Sequence, residues 1–192
     1  FLDTVAEPTA TPGGGSVAAL AGALAASLGQ MVAGLSSKKK SQAAYVEQLS
    51  AATVELRASA ERLAQAIDGD AASYEAVMTA YKLPKETSEE QGRREEAIQQ
   101  ATRRAAEVPL QVTETAVEVF ERLGQLASVT AASMLSDLRV GRLMAAAAAR
   151  GALENVAINL ESITDAAYVA AMQKRMAALE ARLASSPVAA GG

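Results

Sequence analysis

The sequence predicts an all-α fold, a single-domain bundle of about six helices over residues 1–184 with a disordered tail at 185–192. Three observations carry this prediction. No stretch alternates apolar and polar residues with period two, and no turn pair joins two such runs, so strands and hairpins have no signal. Half of the chain is hydrophobic while aromatics make up only 3 %. Alanine, the strongest helix former, therefore supplies much of the apolar surface. The polar breaks, finally, separate long segments with helical spacing. At 192 residues, one hydrophobic core is expected.

Phe1–Thr4 reads as the end of a leading helix, and a chain that opens on Phe1 is expected to lack its extreme N-terminus. Glu7–Gly15, with Pro8 and Pro12, reads as a loop. Ser16 stands at an N-cap position, and a long helix follows to about Ser36. Its Val17–Leu35 segment holds 19 residues without a charge. That is the length of a membrane span. Its richness in Gly, Ala and Ser, with Gln30 inside it, favours a buried central helix instead, and no signal-peptide pattern precedes it. Gly22, Ala26, Gly29 and Ala33 keep the surface of this helix smooth enough for close packing. Ser36–Ser41 is a polar break that places Lys38, Lys39 and Lys40 at the negative end of the helix dipole.

Gln42 to about Ile67 returns to helical spacing, with Leu49, Leu56, Leu63 and Ile67 on one stripe. Asp68-Gly69-Asp70 marks a kink or a break, and helix resumes through Tyr81. Pro84 ends it, because the residue before a proline is pushed out of the helical region. Thr87 and Glu90 have the spacing of a capping box and open a charged helix from Ser88 to about Glu107. Pro109 suits the first turn of the next helix, to about Leu123, and Gly124 suits its end. Gln125–Leu160 is Ala-rich, with Gly141 and Gly151 inside a helical pattern. Thr164-Asp165 caps a last amphipathic helix to about Ala184.

The chain has neither cysteine nor histidine. Disulfides, thiolate nucleophiles, Ser-His-Asp catalysis and the commonest zinc ligand are thereby excluded. Acid–base chemistry must rest on Asp, Glu, Lys, Tyr or bound water. A net charge of -4 without a basic stripe argues against a nucleic-acid partner. No segment has a spacing that compels a metal site, and the composition suits the cytoplasm.

Four groups of residues could carry chemistry. Gly13, Gly14, Gly15 and Ser16 precede a helix whose free N–H groups offer a place for a carboxylate or phosphate; a loop that merely caps a buried helix is the alternative. Asp137, in Ser136-Asp137-Leu138, sits among small and apolar residues, so a raised pKa or a nearby cation is expected. Arg139 and Arg142 are close enough in sequence to offer a structural ion pair. Asp68 and Asp70 form an acidic pair or two solvated caps, and Asp70, Tyr74 and Tyr81 share a helix face. Asn155 and Asn159 lie one turn apart. Asn155 follows Asp137 by 18 residues, about 27 Å on a continuous helix. These two could share a pocket only through a helix break or across a subunit interface.

Together these segments resemble the formimidotetrahydrofolate cyclodeaminase family, which includes standalone methenyltetrahydrofolate cyclohydrolases. The resemblance runs through Pro12-Gly13-Gly14-Gly15-Ser16-Val17, Asp68-Gly69-Asp70-Ala71, Lys82-Leu83-Pro84-Lys85 with Glu89-Glu90, and Val108-Pro109-Leu110. It continues through Ser136-Asp137-Leu138, Asn155-Val156 with Ile158-Asn159-Leu160, and Ile163-Thr164-Asp165. The set covers nearly the whole chain in the family's order. Departures are Ser37 and Ser41 where standalone relatives often have Gly and Tyr, and Arg139 and Arg142 where many have a small apolar run.

The resemblance implies an intimate homodimer or higher homo-oligomer that binds folate near the subunit interface. It also implies a tetrahydrofolate derivative as substrate, no tightly bound cofactor, and a possible formiminotransferase partner. The implied reaction is cyclisation of 5-formimidotetrahydrofolate to 5,10-methenyltetrahydrofolate with release of ammonia. Asp137 or Asp70 would take the acid–base role. Gly13–Ser16 and Lys38–Lys40 would hold the glutamate tail, with Asp68, Asn155 and Asn159 as further substrate contacts. The rival reaction is hydrolysis of the methenyl group to 10-formyltetrahydrofolate. A helical scaffold without chemistry is the alternative from a different class.

Overall fold

A computed structural model describes residues 1–185, all helices and connections; of the predicted tail at 185–192, Ser185 ends the last helix and 186–192 lie outside the described residues. Six α-helices follow one another: α1 Leu2–Ala6, α2 Gly14–Ser36, α3 Val46–Tyr81, α4 Ser88–Leu126, α5 Leu135–Leu160 and α6 Ala166–Ser185. Short 3₁₀ turns at Lys40–Tyr45 and Ala132–Met134 lead into α3 and α5. No strand occurs among the described residues.

Helices α2, α3, α4 and α5 form an up-down-up-down bundle, each packed on the next, with α5 closing back on α2. The antiparallel register is fixed by small residues. Ala18 of α2 meets Gly151 of α5, and the Ala25 carbonyl lies against Gly141. Gly22 and Gly29 of α2 receive Leu63 and Leu56 of α3. Alanine and glycine at these contacts let the backbones approach, and the larger Leu49, Leu56, Leu63, Leu110, Phe120 and Leu123 fill the centre with almost no exposure. Half of the apolar window of α2, long enough to cross a membrane by composition alone, is buried inside this bundle.

Helix α6 lies parallel to α4 and is held by Met172, Leu179 and Leu183, all buried. Arg175–Glu114 and Arg182–Glu121 ion pairs, both 2.7 Å, flank that seam. Asp165 caps α6 as its sequence predicts, accepting from the Ala167 and Tyr168 amides at 3.0 and 3.1 Å. The Tyr168 amide is the largest of the influences that hold the Asp165 carboxyl below its ordinary pKa. The Thr87–Glu90 capping box is also present, with both reciprocal hydrogen bonds.

Two expected breaks are absent. Asp68-Gly69-Asp70 lies inside α3, which runs unbroken for 36 residues. Pro109 lies deep inside α4, a helix of 39 residues, rather than opening a new one. Proline has no N–H, so its ring leaves the Ala105 carbonyl without the usual i→i−4 donor. Asn159 of α5 supplies the replacement: its Nδ2 donates to Ala105 O at 3.0 Å and to Asn155 O at 2.8 Å. Tertiary packing thus overrides the local rule. Asn159→Ala should cost about 1–3 kcal/mol, the penalty of an unsatisfied half-buried carbonyl. Urea unfolding of Pro109→Ala, Asn159→Ala and the double variant checks this. The Asn159→Ala loss should shrink in the Pro109→Ala background, where residue 109 regains its own N–H.

The Ala-rich stretch at 125–160 is interrupted as well. α4 ends at Leu126, and the connection to α5 is pinned by fully buried Ser36, whose Oγ accepts from the Ala131 amide at 3.1 Å.

Candidate functional site

The glycine turn does not use the positive φ that glycine permits; no glycine has it. What it uses is the missing side chain. Gly13, extended at φ -110 and ψ -159, is the N-cap, and α2 begins at Gly14. Ser16 is therefore the third residue of the helix rather than its cap. Its free amide donates to Asp70 Oδ2 at 2.9 Å, and its hydroxyl lies 3.1 Å from the same oxygen. The anion at this helix N-terminus is the protein's own carboxylate. A Cβ on Gly15 would stand 2.1 Å from Asp70 Oδ1, so only glycine lets the carboxylate reach this position. Oδ2 takes both hydrogen bonds that the described residues give this side chain, and Oδ1 takes none.

Asn155 completes this end of the bundle. Its amide group lies against Gly14, with Nδ2 and Oδ1 3.3 and 3.5 Å from where a Cβ would be. Asn155 Nδ2 donates to Gly151 O at 2.8 Å, and Oδ1 takes no hydrogen bond from the described residues. Gly14, Gly15, Ser16, Asp70 and Asn155 are thus brought together from three helices, with Gly13 beside them. Asn159 is one turn further along, occupied with the Pro109 carbonyl gap.

The remaining predicted residues lie elsewhere. Asp68 is exposed and points away from Asp70, because a spacing of two on a continuous helix turns side chains to different sides. Of the two readings for Asp68 and Asp70, the acidic pair is not formed. Tyr74 and Tyr81 are exposed, and Tyr81 is covered by Arg94, which stacks on its ring at 5.5 Å and donates to its carbonyl.

Asp137 occupies the first turn of α5, half-exposed, at the opposite end of the bundle. The apolar enclosure expected around it is not formed, and no cation lies within ion-pair distance among the described residues. Arg139 is exposed. Arg142 turns inward, its guanidinium 4.4 Å from the Phe120 ring centroid and against Gly124, where burial lowers its pKa. Lys38, Lys39 and Lys40 stand exposed at the same end as Asp137 and join no ion pair among the described residues. Since α5 is continuous, about 27 Å separate Asp137 from Asn155.

The predicted residues therefore fall into two groups at opposite ends of the bundle. A groove of about 600 Å³ between α3 and α4 contains none of the predicted residues. No group of three or more acidic side chains capable of holding a metal ion occurs among the described residues.

One feature was not separable in the sequence. Val17, Leu24, Met31 and Leu35 form an outward-facing apolar stripe on α2; Leu24 is 49 % exposed. The spacing of seven, seven and four was legible, but the same pattern serves a buried stripe and an exposed one equally well.

The bundle, with a carboxylate lodged in its glycine turn, defines an all-α protein. The family model for formiminotransferase-cyclodeaminase matches residues 1–178. The chain belongs to that family. A formimidoyltransferase-cyclodeaminase of Sus scrofa is 35 % identical over 180 residues, covering 93 % of this chain and 33 % of that protein. The chain thus spans about a third of the length of that relative. A methenyltetrahydrofolate cyclohydrolase of Methylorubrum extorquens is 36 % identical over 190 residues, covering 97 % of this chain and 88 % of that one. The crystal structure of a formiminotetrahydrofolate cyclodeaminase from Thermotoga maritima superposes with a TM-score of 0.87 at 28 % identity. The match covers 97 % of this chain and 89 % of that chain.

Proposed function

We propose that this protein converts 5-formimidotetrahydrofolate to 5,10-methenyltetrahydrofolate and ammonia, using Asp70 as the proton-transfer group. The observation that carries the reading is the Asp70 carboxylate, fixed through Oδ2 at the start of α2, with no hydrogen bond to Oδ1 among the described residues. In the reaction, N10 attacks the carbon of the formimino group in its protonated, cationic form, and the N10 proton passes to Oδ1. The N10–C bond forms, the bond from that carbon to the formimino nitrogen breaks, and the proton leaves with ammonia. A carboxylate can serve as acceptor and then donor without histidine, which this chain lacks.

The second half of the site comes, in this reading, from a second copy. The apolar stripe of α2 spans Val17 to Leu35, 18 residues or about 27 Å, the same length that separates the half-sites. Two copies paired antiparallel along it, about a two-fold axis near Ala26, would set residues 38–40 and Asp137 of one chain beside Ser16 and Asp70 of the other. Such an isologous contact covers the stripe on both chains. Asp137 would then face the cationic product, and the lysines would take the glutamate tail. Gly13–Ser16 are less suited to that tail, because Asp70 already holds the helix N-terminus and a second anion would meet its charge.

The cyclohydrolase reading is supported by the Methylorubrum relative, matched over most of its length. Two cuvettes separate the two. Methenyltetrahydrofolate absorbance rising from 5-formimidotetrahydrofolate faster than the uncatalysed cyclisation is the expected result. Accelerated loss of that absorbance from methenyltetrahydrofolate, with no effect in the first cuvette, would make the protein a cyclohydrolase. Silence in both, with no folate binding, would leave a helical scaffold.

A further inference from the structure

We infer that Ser16 is a positioning residue for Asp70, built to hold that carboxylate in both of its protonation states; the inference rests on the folate reading above. Ser16 was expected to touch substrate. Instead it is fully buried, and every polar atom it presents to a side chain faces Asp70. Its amide donates to Oδ2 whatever the state of the carboxyl group. Its hydroxyl has one proton and two acceptors in reach, Asp70 Oδ2 at 3.1 Å and the Ile67 carbonyl at 2.9 Å. When Asp70 is charged, the proton is better placed on Oδ2, since bonds to an ionised acceptor are the stronger ones. When Oδ1 has taken a proton, the hydroxyl turns to Ile67 O, and Oδ2 keeps the amide. No heavy atom moves in the exchange.

Ile67 and Asp70 lie one turn apart on α3, so both acceptors belong to the same rigid helix. Gly15 supplies the remaining restraint by leaving the space that Oδ1 enters. The arrangement suits a group that must accept a proton from one nitrogen and deliver it to another within a single turnover. An exposed carboxylate would have to reorganise its water shell at each step; this one keeps a fixed donor set.

The test is a kinetic double-mutant cycle of Ser16→Ala and Asp70→Asn in the full chain, with Gly15→Ala as a second way to displace the carboxylate and thermal unfolding of every variant alongside. Ser16→Ala should lower kcat roughly tenfold or more and leave KM within about twofold. Gly15→Ala should act in the same direction with the hydroxyl intact. In the Asp70→Asn background, Ser16→Ala should lower kcat no further, because there is no longer a proton-carrying group to position. Ser16→Ala turning over at the wild-type rate, or losses that multiply in the double variant, would overturn the inference and leave the folate reading standing. A wild-type protein silent on both folate substrates would overturn both.

Discussion

Asp70→Asn and Asp137→Asn should each lose turnover by roughly 100-fold or more, and a co-expressed mixture of the two should recover part of it. The recovery follows from the proposed shared site, because Asp137 and Asp70 lie at opposite ends of the bundle. If each active site joins Asp70 of one chain to Asp137 of another, a mixed dimer has one site with both residues replaced and one with both intact. Random pairing then leaves about one site in four competent. Light scattering reports the oligomer and the methenyl absorbance reports turnover. A dimeric mixture with no recovery would sink the shared-site arrangement. Full activity in Asp137→Asn with folate still bound would remove Asp137 from the mechanism. Leu24→Glu, which puts a charge in the centre of the exposed stripe, should give a monomer and take turnover with it.

Gly29→Ala should destabilise the bundle by about 2 kcal/mol, although alanine is the better helix former by about 1 kcal/mol. The packing around Leu123 decides which effect wins. A Cβ at residue 29 would stand 2.2 Å from Leu123 Cδ2 and 3.1 Å from Leu56 Cδ1. Leu123 cannot turn away, because its other methyl already fills the space over Gly141, 3.0 Å from where a Cβ would be. Both leucines are almost completely buried. For a chain of this size the loss corresponds to a Tm lower by about 4–8 °C. Leu123→Ala alone should cost about 2–5 kcal/mol through the cavity it leaves. Combined with Gly29→Ala it should cost less than the sum, since the new methyl fills part of that cavity. Additive losses would mean that Leu123 is not the knob that selects glycine at residue 29.

Short-range physics controls the features that could be read along the chain. Helical spacing, the Thr87–Glu90 box, the Asp165 cap and the Pro84 stop depend on residues within one or two turns, and all stand as read. The absence of histidine and cysteine confined acid–base chemistry to Asp, Glu, Lys, Tyr or bound water. The ordered motifs along the chain carried the family. Local rules failed where a distant segment supplied what the neighbours lacked. Pro109 stays inside α4 because Asn159, 50 residues on, satisfies the freed carbonyl, and Asp68-Gly69-Asp70 stays helical within a bundle that packs α3 on both sides of it. The same limit applied to the site. Gly13–Ser16 read as an anion cradle, but only the register of α3 against α2 decided that Asp70 fills it. Only the unbroken course of α5 decided that Asp137 lies at the far end of the molecule. A sequence fixes distances along a helix to within a few ångströms, whereas which helices meet, and at which turn, depends on side-chain packing summed over the whole core.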